Sequence, residues 1–175
     1  IGPGAKTLKP KVSGGTAGVT TGKAEYVLTL EIAKKLEKKL VNQGYKVIMS
    51  RTRHDVNITN IQRAQKLNKK CDISIRLHAD GGPASSNPYV GKLSAKSKKL
   101  SLYVLNSYCK STGIYNRGLS LRDDLSGTNW STIPVTLLEM GFMTNASDDK
   151  YMSSAAGQKK MVDGIAKGIN EYFGK

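Results

Sequence analysis

Three side chains have the types that hydrolysis at a metal centre uses: Glu25, His78 and Glu139. His78 closes a short apolar stretch, Ile73-Ser74-Ile75-Arg76-Leu77, and is followed by Ala79-Asp80-Gly81-Gly82. Glu139 stands inside the most apolar run of the chain, Ile133 to Met143. A carboxylate in a buried strand is costly unless it is paired, bound to a metal or protonated. Glu139 therefore marks either a working site or a buried structural ion pair. Glu25 opens a helix, where the helix dipole alone also favours a carboxylate. His78 is open to two readings, a ligand or a core histidine. One histidine with two carboxylates suits zinc better than calcium. A catalytic zinc takes three protein ligands and a water. With Glu139 as the base, Glu25 and His78 remain as ligands, one short of that set. His54, the other histidine, lies in Arg51-Thr52-Arg53-His54-Asp55 and reads as a solvated surface residue.

The elements that would carry these residues are set by periodicity. Residues 1–24, rich in Gly, Lys and Thr, read as a loop. From Glu25, apolar residues at Val27, Leu28, Leu30, Ile32, Leu36 and Leu40 make an amphipathic helix ending before Gly44. Tyr45 to Met49 reads as a strand. Asn57 or Thr59 caps the next helix, through Ile61, Ala64 and Leu67. Asp72 to Leu77 is a strand, and residues 79–94 form a Gly/Pro/Ser loop. A helix with Leu100, Tyr103, Val104 and Tyr108 on one face ends at Gly113, and residues 114–131 read as irregular. The apolar strand around Glu139 comes next, then a closing helix with Met161, Ile165, Ile169 and Tyr172. Strands alternating with helices predict an α/β fold: a single domain, residues 1–175, with a twisted, mostly parallel sheet flanked by helices. In such sheets ligands gather at the carboxyl ends of strands. His78 and Glu139 lie at such ends, and Glu25 starts the helix expected behind the sheet.

Composition sets the outer bounds. The chain has 175 residues, 38% of them hydrophobic and 23% charged, as a folded domain requires. No apolar run reaches the roughly 20 residues of a membrane span. The net charge of +15 favours polyanions: nucleic acid, anionic lipid or an anionic bacterial wall. With 6% aromatic residues and no binding motif, a nucleic-acid partner is not expected. Cys71 and Cys109 form no C-x-x-C pair and read as two half-buried thiols, neither a thiolate zinc site nor a disulfide.

Taken in order, the motifs resemble the zinc-dependent N-acetylmuramoyl-L-alanine amidases of the Amidase_3 type, of a Gram-positive, clostridial-like kind. The matching segments are Glu25 to Leu36, Gly44 to Arg53, Ile75 to Gly81, Gly127 to Trp130 and Pro134 to Asn145. The resemblance implies that Glu25 and His78 bind Zn2+ and that Glu139 is the catalytic carboxylate. It implies hydrolysis, by zinc-activated water, of the amide between N-acetylmuramic acid and the L-alanine of the stem peptide. It further implies an extracellular, wall-associated monomer acting on peptidoglycan and held by anionic wall polymers. The family's first ligand is a histidine in an Asp-Pro-Gly-His-like stretch after the first strand. Ile1-Gly2-Pro3-Gly4-Ala5 resembles the segment just downstream of that histidine. The first strand and ligand are accordingly expected upstream of Ile1. Asp80 stands where the family commonly has Asn. A metal-free peptidoglycan-binding module of the same fold is the alternative.

Overall fold

The computed structural model describes residues 2–4, 6, 15–81, 89–90, 94–122 and 124–175, with backbone alone at 89–90. Much of the expected opening loop and of the 79–94 loop therefore lies outside the described residues.

Helix α1 (Glu25–Asn42) buries Leu28, Ile32, Leu36 and Leu40, the i, i+4 stripe expected from its sequence. Helix α2 (Asn60–Leu67) starts in a capping box: the Thr59 side chain accepts from the Gln62 amide while the Gln62 side chain accepts from the Thr59 amide. Strand β1 (Ser74–His78) comes next, then β2 (Tyr89–Val90) and helix α3 (Ala95–Thr112), which stops at Gly113 in the left-handed region. The stretch 114–131, expected as irregular, contains β3 (Ser120–Leu121) and the single turn α4 (Ser126–Asn129). Strand β4 (Val135–Glu139) is buried at all five positions. The expected closing helix is α6 (Ala155–Phe173), which carries Met161, Ile165, Ile169 and Tyr172, and a further helix, α5 (Ala146–Ser153), precedes it. Ser154, with extended backbone and its side chain accepting from the Gly157 amide, separates them.

The sheet order is β1-β4-β2-β3. β1 pairs with β4, and β2 with β3, in parallel, while β2 meets β4 antiparallel. The mostly parallel sheet is borne out. Tyr45–Met49 is a correction: it forms no ladder among the described residues, because β1 pairs only with β4. A strand needs a partner as much as it needs β-branched residues.

The core lies on one side of the sheet, where α3 and α6 pack together and α1 packs on α6. Gly164 and Gly168 permit the α3–α6 approach: a Cβ on either would come within 2.8 Å of Tyr108 Cα or 2.6 Å of Val104 Cα. Thr136 turns to this side and accepts the Ser101 hydroxyl at 2.7 Å, and the Tyr108 hydroxyl donates to the Met140 carbonyl. Truncating Leu138 or Ile165, both fully buried here, would cost about 2–5 kcal/mol. The alternating side of β1 and β4 carries Arg76 and His78 beside Leu137 and Glu139.

Candidate active site

The β1–β4 register sets His78 directly opposite Glu139 at the carboxyl ends of both strands. Parallel pairing places opposite residues on the same face, so the imidazole and the carboxylate share one rim. The first turn of α1 adds the third group: Glu25 Oε1 stands 3.3 Å from His78 Nδ1. Glu25 also accepts the Ala79 amide at 3.2 Å on Oε1 and the Thr16 amide at 3.3 Å on Oε2. Burial works to raise its pKa. The hydrogen bond and charge of His78, with the two amides, overcome this and hold the carboxyl below its ordinary value. Glu25 therefore stays ionised, as a ligand or a salt-bridge partner must.

Glu139 behaves oppositely. It is 4% exposed. Burial, then the charges of Asp80 and Glu25, push its pKa to about 8; the Asp80 amide and Arg122 pull the other way. Its Oε2 accepts the Asp80 amide at 3.1 Å. Two carboxylates a few residues apart in space thus hold opposite protonation states near neutral pH. That separation marks acid–base sites, although structural networks also produce it.

Asp80 carries both features found at Glu139, the amide that it donates and the negative charge that it adds. The sequence marked this position as a departure from Asn, and the charge is what the departure introduces. Arg122, in the segment read only as polar, pairs with Asp124 at 2.7 Å through its Nε and acts on Glu139 electrostatically. Sequence reasoning missed Asp149. This buried carboxylate accepts the Thr20 and Thr21 amides at 2.8 Å each and the Thr21 hydroxyl at 2.7 Å. It ties down the turn at 18–23, whose ends join at the Ala17–Ala24 bridge just before Glu25. The Thr16 hydroxyl donates to the Ala79 carbonyl at 2.8 Å, binding the same segment to the end of β1. Gly15, at φ 73°, lets the chain pass this close: a Cβ there would lie 2.5 Å from Glu25 Oε2.

Imidazole nitrogen and carboxylate oxygen are both zinc-type donors, and Glu25 and His78 bring one of each within 3.3 Å of the other. Among the described residues no group of three His, Cys, Asp or Glu side chains is arranged to hold a metal. His54 is exposed and packs edge-on against Tyr26, with 5.5 Å between ring centroids. Cys71 and Cys109 are free thiols.

One histidine and two unlike carboxylates, from two strand ends and a helix start, thus meet at one rim of an α/β domain. The chain belongs to the N-acetylmuramoyl-L-alanine amidase family, whose sequence profile matches residues 6–171. It is 28% identical over 187 aligned positions to an N-acetylmuramoyl-L-alanine amidase of Mycobacterium tuberculosis, covering 94% of this chain and 78% of that one. A probable cell wall amidase of Staphylococcus epidermidis is 27% identical, over 91% of this chain and 54% of its own length. Among solved structures, the N-acetylmuramoyl-L-alanine amidase of Clostridium difficile 630 superposes with a TM-score of 0.85 at 26% identity, covering 93% and 91% of the two chains. No described helix is long and apolar enough to cross a membrane.

Proposed function

We propose that the chain hydrolyses the amide joining the lactyl group of N-acetylmuramic acid to L-alanine of the stem peptide, outside the cell, at the rim formed by Glu25, His78 and Glu139. Family membership supports peptidoglycan amidase activity. The observation that carries the assignment of roles is the buried Glu139 carboxyl, held at about 8 and opposite His78. A group that first accepts and then hands on a proton works best with a pKa near the operating pH. In the ionised form, which becomes populated as pH approaches about 8, Oε2 of Glu139 is engaged by the Asp80 amide, which leaves Oε1 to take the proton of the attacking water. As the oxygen of that water bonds to the amide carbon and the C–N bond breaks, the same atom delivers the proton to the leaving nitrogen of L-alanine. Glu25 and His78 would hold the Zn2+, with any further donor supplied from outside the described residues. When bound, the ion supplies Lewis-acid polarisation of the amide and a more acidic water. The net charge of +15 suits retention on anionic wall polymers.

The test digests purified peptidoglycan and reads by mass the stem peptides released with a free L-alanine amino terminus. Glu139→Gln should abolish release while leaving zinc content unchanged, and chelation should abolish release reversibly. Loss of zinc together with activity in Glu139→Gln would reassign Glu139 as a ligand. Tight wall binding without any release from the unmodified, zinc-supplied protein would convert the reading to a binding module.

A further inference from the structure

The end of the molecule away from the rim brings cations and rings together. Strand β4 runs from Val135 to Glu139, a length of roughly 13 Å. Helix α3 begins beside its first residue, where the Val135 amide donates to the Ser97 hydroxyl at 3.1 Å. It passes the far end with Tyr108, whose hydroxyl donates to the Met140 carbonyl. Helix α6 runs the opposite way along α3, since Gly164 meets Tyr108 and Gly168 meets Val104. The first turns of α3 and the last turn of α6 therefore lie where β4 begins. Glu25, His78 and Glu139 lie at the other end.

Rings and ammonium groups form one connected group there. Lys99 Nζ stands 5.7 Å from the ring centroid of Tyr103 and 5.9 Å from that of Tyr172. Tyr172 meets Phe173 at 5.2 Å, Phe173 meets Tyr45 at 5.8 Å, and Lys175 Nζ stands 4.3 Å from the Tyr45 ring. Phe173 is still 39% exposed, and Leu102, on α3 between Lys99 and Tyr103, is 41% exposed. Apolar side chains exposed singly need no explanation, but a contiguous group rimmed by charge marks an interaction surface. The charge is of one sign. Helix α3 carries four lysines and no acidic residue. Lys96, Lys99 and Lys175 are exposed, and no ion pair joins them to a carboxylate among the described residues. Glu171, near them on α6, is engaged elsewhere: it accepts the Ser107 hydroxyl at 2.6 Å and faces Lys167 at 3.8 Å.

We infer that this end of the molecule docks on the surface of an anionic phospholipid bilayer through Lys96, Lys99, Leu102, Tyr103, Phe173 and Lys175. The lysine stems lie along apolar surface while their ammonium groups reach lipid phosphates, and the rings and Leu102 enter the headgroup layer. A soluble polyanion would engage the lysines and leave Leu102 and Phe173 in water, so the mixture of charge and apolar surface favours the bilayer. Docking is peripheral, and it turns the Glu25–His78–Glu139 rim away from the lipid. On the amidase reading, that is toward the wall.

The test needs neither wall nor metal, so its outcome is independent of the amidase reading. The protein is sedimented with vesicles of phosphatidylcholine alone and of phosphatidylcholine mixed with phosphatidylglycerol. Three lysines at an anionic surface should give on the order of a hundredfold tighter binding to the mixed vesicles. Replacing Lys96 and Lys99 together by Gln should remove most of that preference. Replacing Lys110 and Lys150 by Gln removes the same charge elsewhere and should change it little. Leu102→Ser and Phe173→Ser should each weaken binding to the mixed vesicles roughly tenfold, and retention on immobilised poly(glycerol phosphate) should be unchanged in both. The comparison of the two vesicle types uses the unmodified protein, so it stands even if a variant fails to fold. Equal sedimentation with both vesicle types, or none with either, would overturn the inference. Equal losses from the two lysine pairs would reduce the binding to net charge and overturn it as well. Full vesicle binding by both apolar variants would give the face to a soluble polyanion instead.

Discussion

Stability between pH 5 and 9 should depend steeply on Glu139. In the folded chain its pKa stands at about 8, against 4.5 for the ordinary carboxyl. Between those values the folded chain keeps a proton that the unfolded chain has released. Stability rises with pH where the unfolded state binds more protons, and here the folded state binds more. Stability should therefore fall as pH climbs from 4.5 and level off above 8. At about 1.4 kcal/mol per pH unit, the full loss is about 5 kcal/mol. That is a large part of the 5–15 kcal/mol that typically holds a domain together. The perturbation is Glu139→Gln, whose amide oxygen can still accept from Asp80 and which carries no charge at any pH. The assay is urea unfolding of both chains at each pH from 5 to 9, with a chelator present so that no cation compensates the carboxylate. The difference between the chains should be small at pH 5 and grow by about 1.4 kcal/mol per unit in favour of the glutamine variant up to pH 8. Identical pH slopes would mean that Glu139 is already ionised in the folded chain, and the proton-carrying role proposed for it would lose its physical basis.

Asp80→Asn should retain the amide that Glu139 accepts while removing the second-largest cause of its raised pKa; the fall in stability still begins near 4.5 but levels off at lower pH and is smaller in total, and the pH–rate profile rises at lower pH. An unchanged profile would show that burial alone sets Glu139. Asp149→Ala leaves the Thr20 and Thr21 amides without their acceptor and should cost about 1–3 kcal/mol in denaturant unfolding. It should also raise KM or lower zinc affinity by loosening the segment that leads to Glu25; a pure stability loss would confine Asp149 to a structural role. Binding to purified walls should weaken steeply with salt, since exposed charges are screened over about 10 Å at 0.1 M. Salt-independent binding would place the affinity in the groove instead of in the net charge.

The parts of this fold that could be read in the sequence are those that local periodicity encodes. The stripe Leu28, Ile32, Leu36 and Leu40 defines α1 whatever it packs against, and the run around Glu139 had to be a buried strand. Glu139 was conspicuous for the same reason: a charge inside an apolar strand breaks local consistency, and such breaks concentrate at working sites. Tyr45–Met49 shows the limit. Its residues favour a strand, but a ladder is a property of two segments, and the second cannot be inferred from the first. The two-residue strands β2 and β3 are likewise products of pairing more than of composition.

The site divides along the same line. Glu25, His78 and Glu139 were visible because each sits at a legible place: a helix start, a strand end, a strand interior. What tunes them was not visible, because it comes from residues distant in sequence. The Thr16 amide reaches Glu25 from a segment whose turn at 18–23 is held by Asp149, more than a hundred residues away. Arg122 acts on Glu139 through space, in a way that no motif would record. Three arginines make the point most sharply. Arg51, Arg63 and Arg76 are spread over 26 positions of a chain with 28 basic residues, where each reads as ordinary surface charge. Only folding turns them toward one space, where burial lowers the pKa of each. The sequence identifies the groups that can do chemistry; the fold decides which of them, and which charges far apart in the chain, come to act on one another.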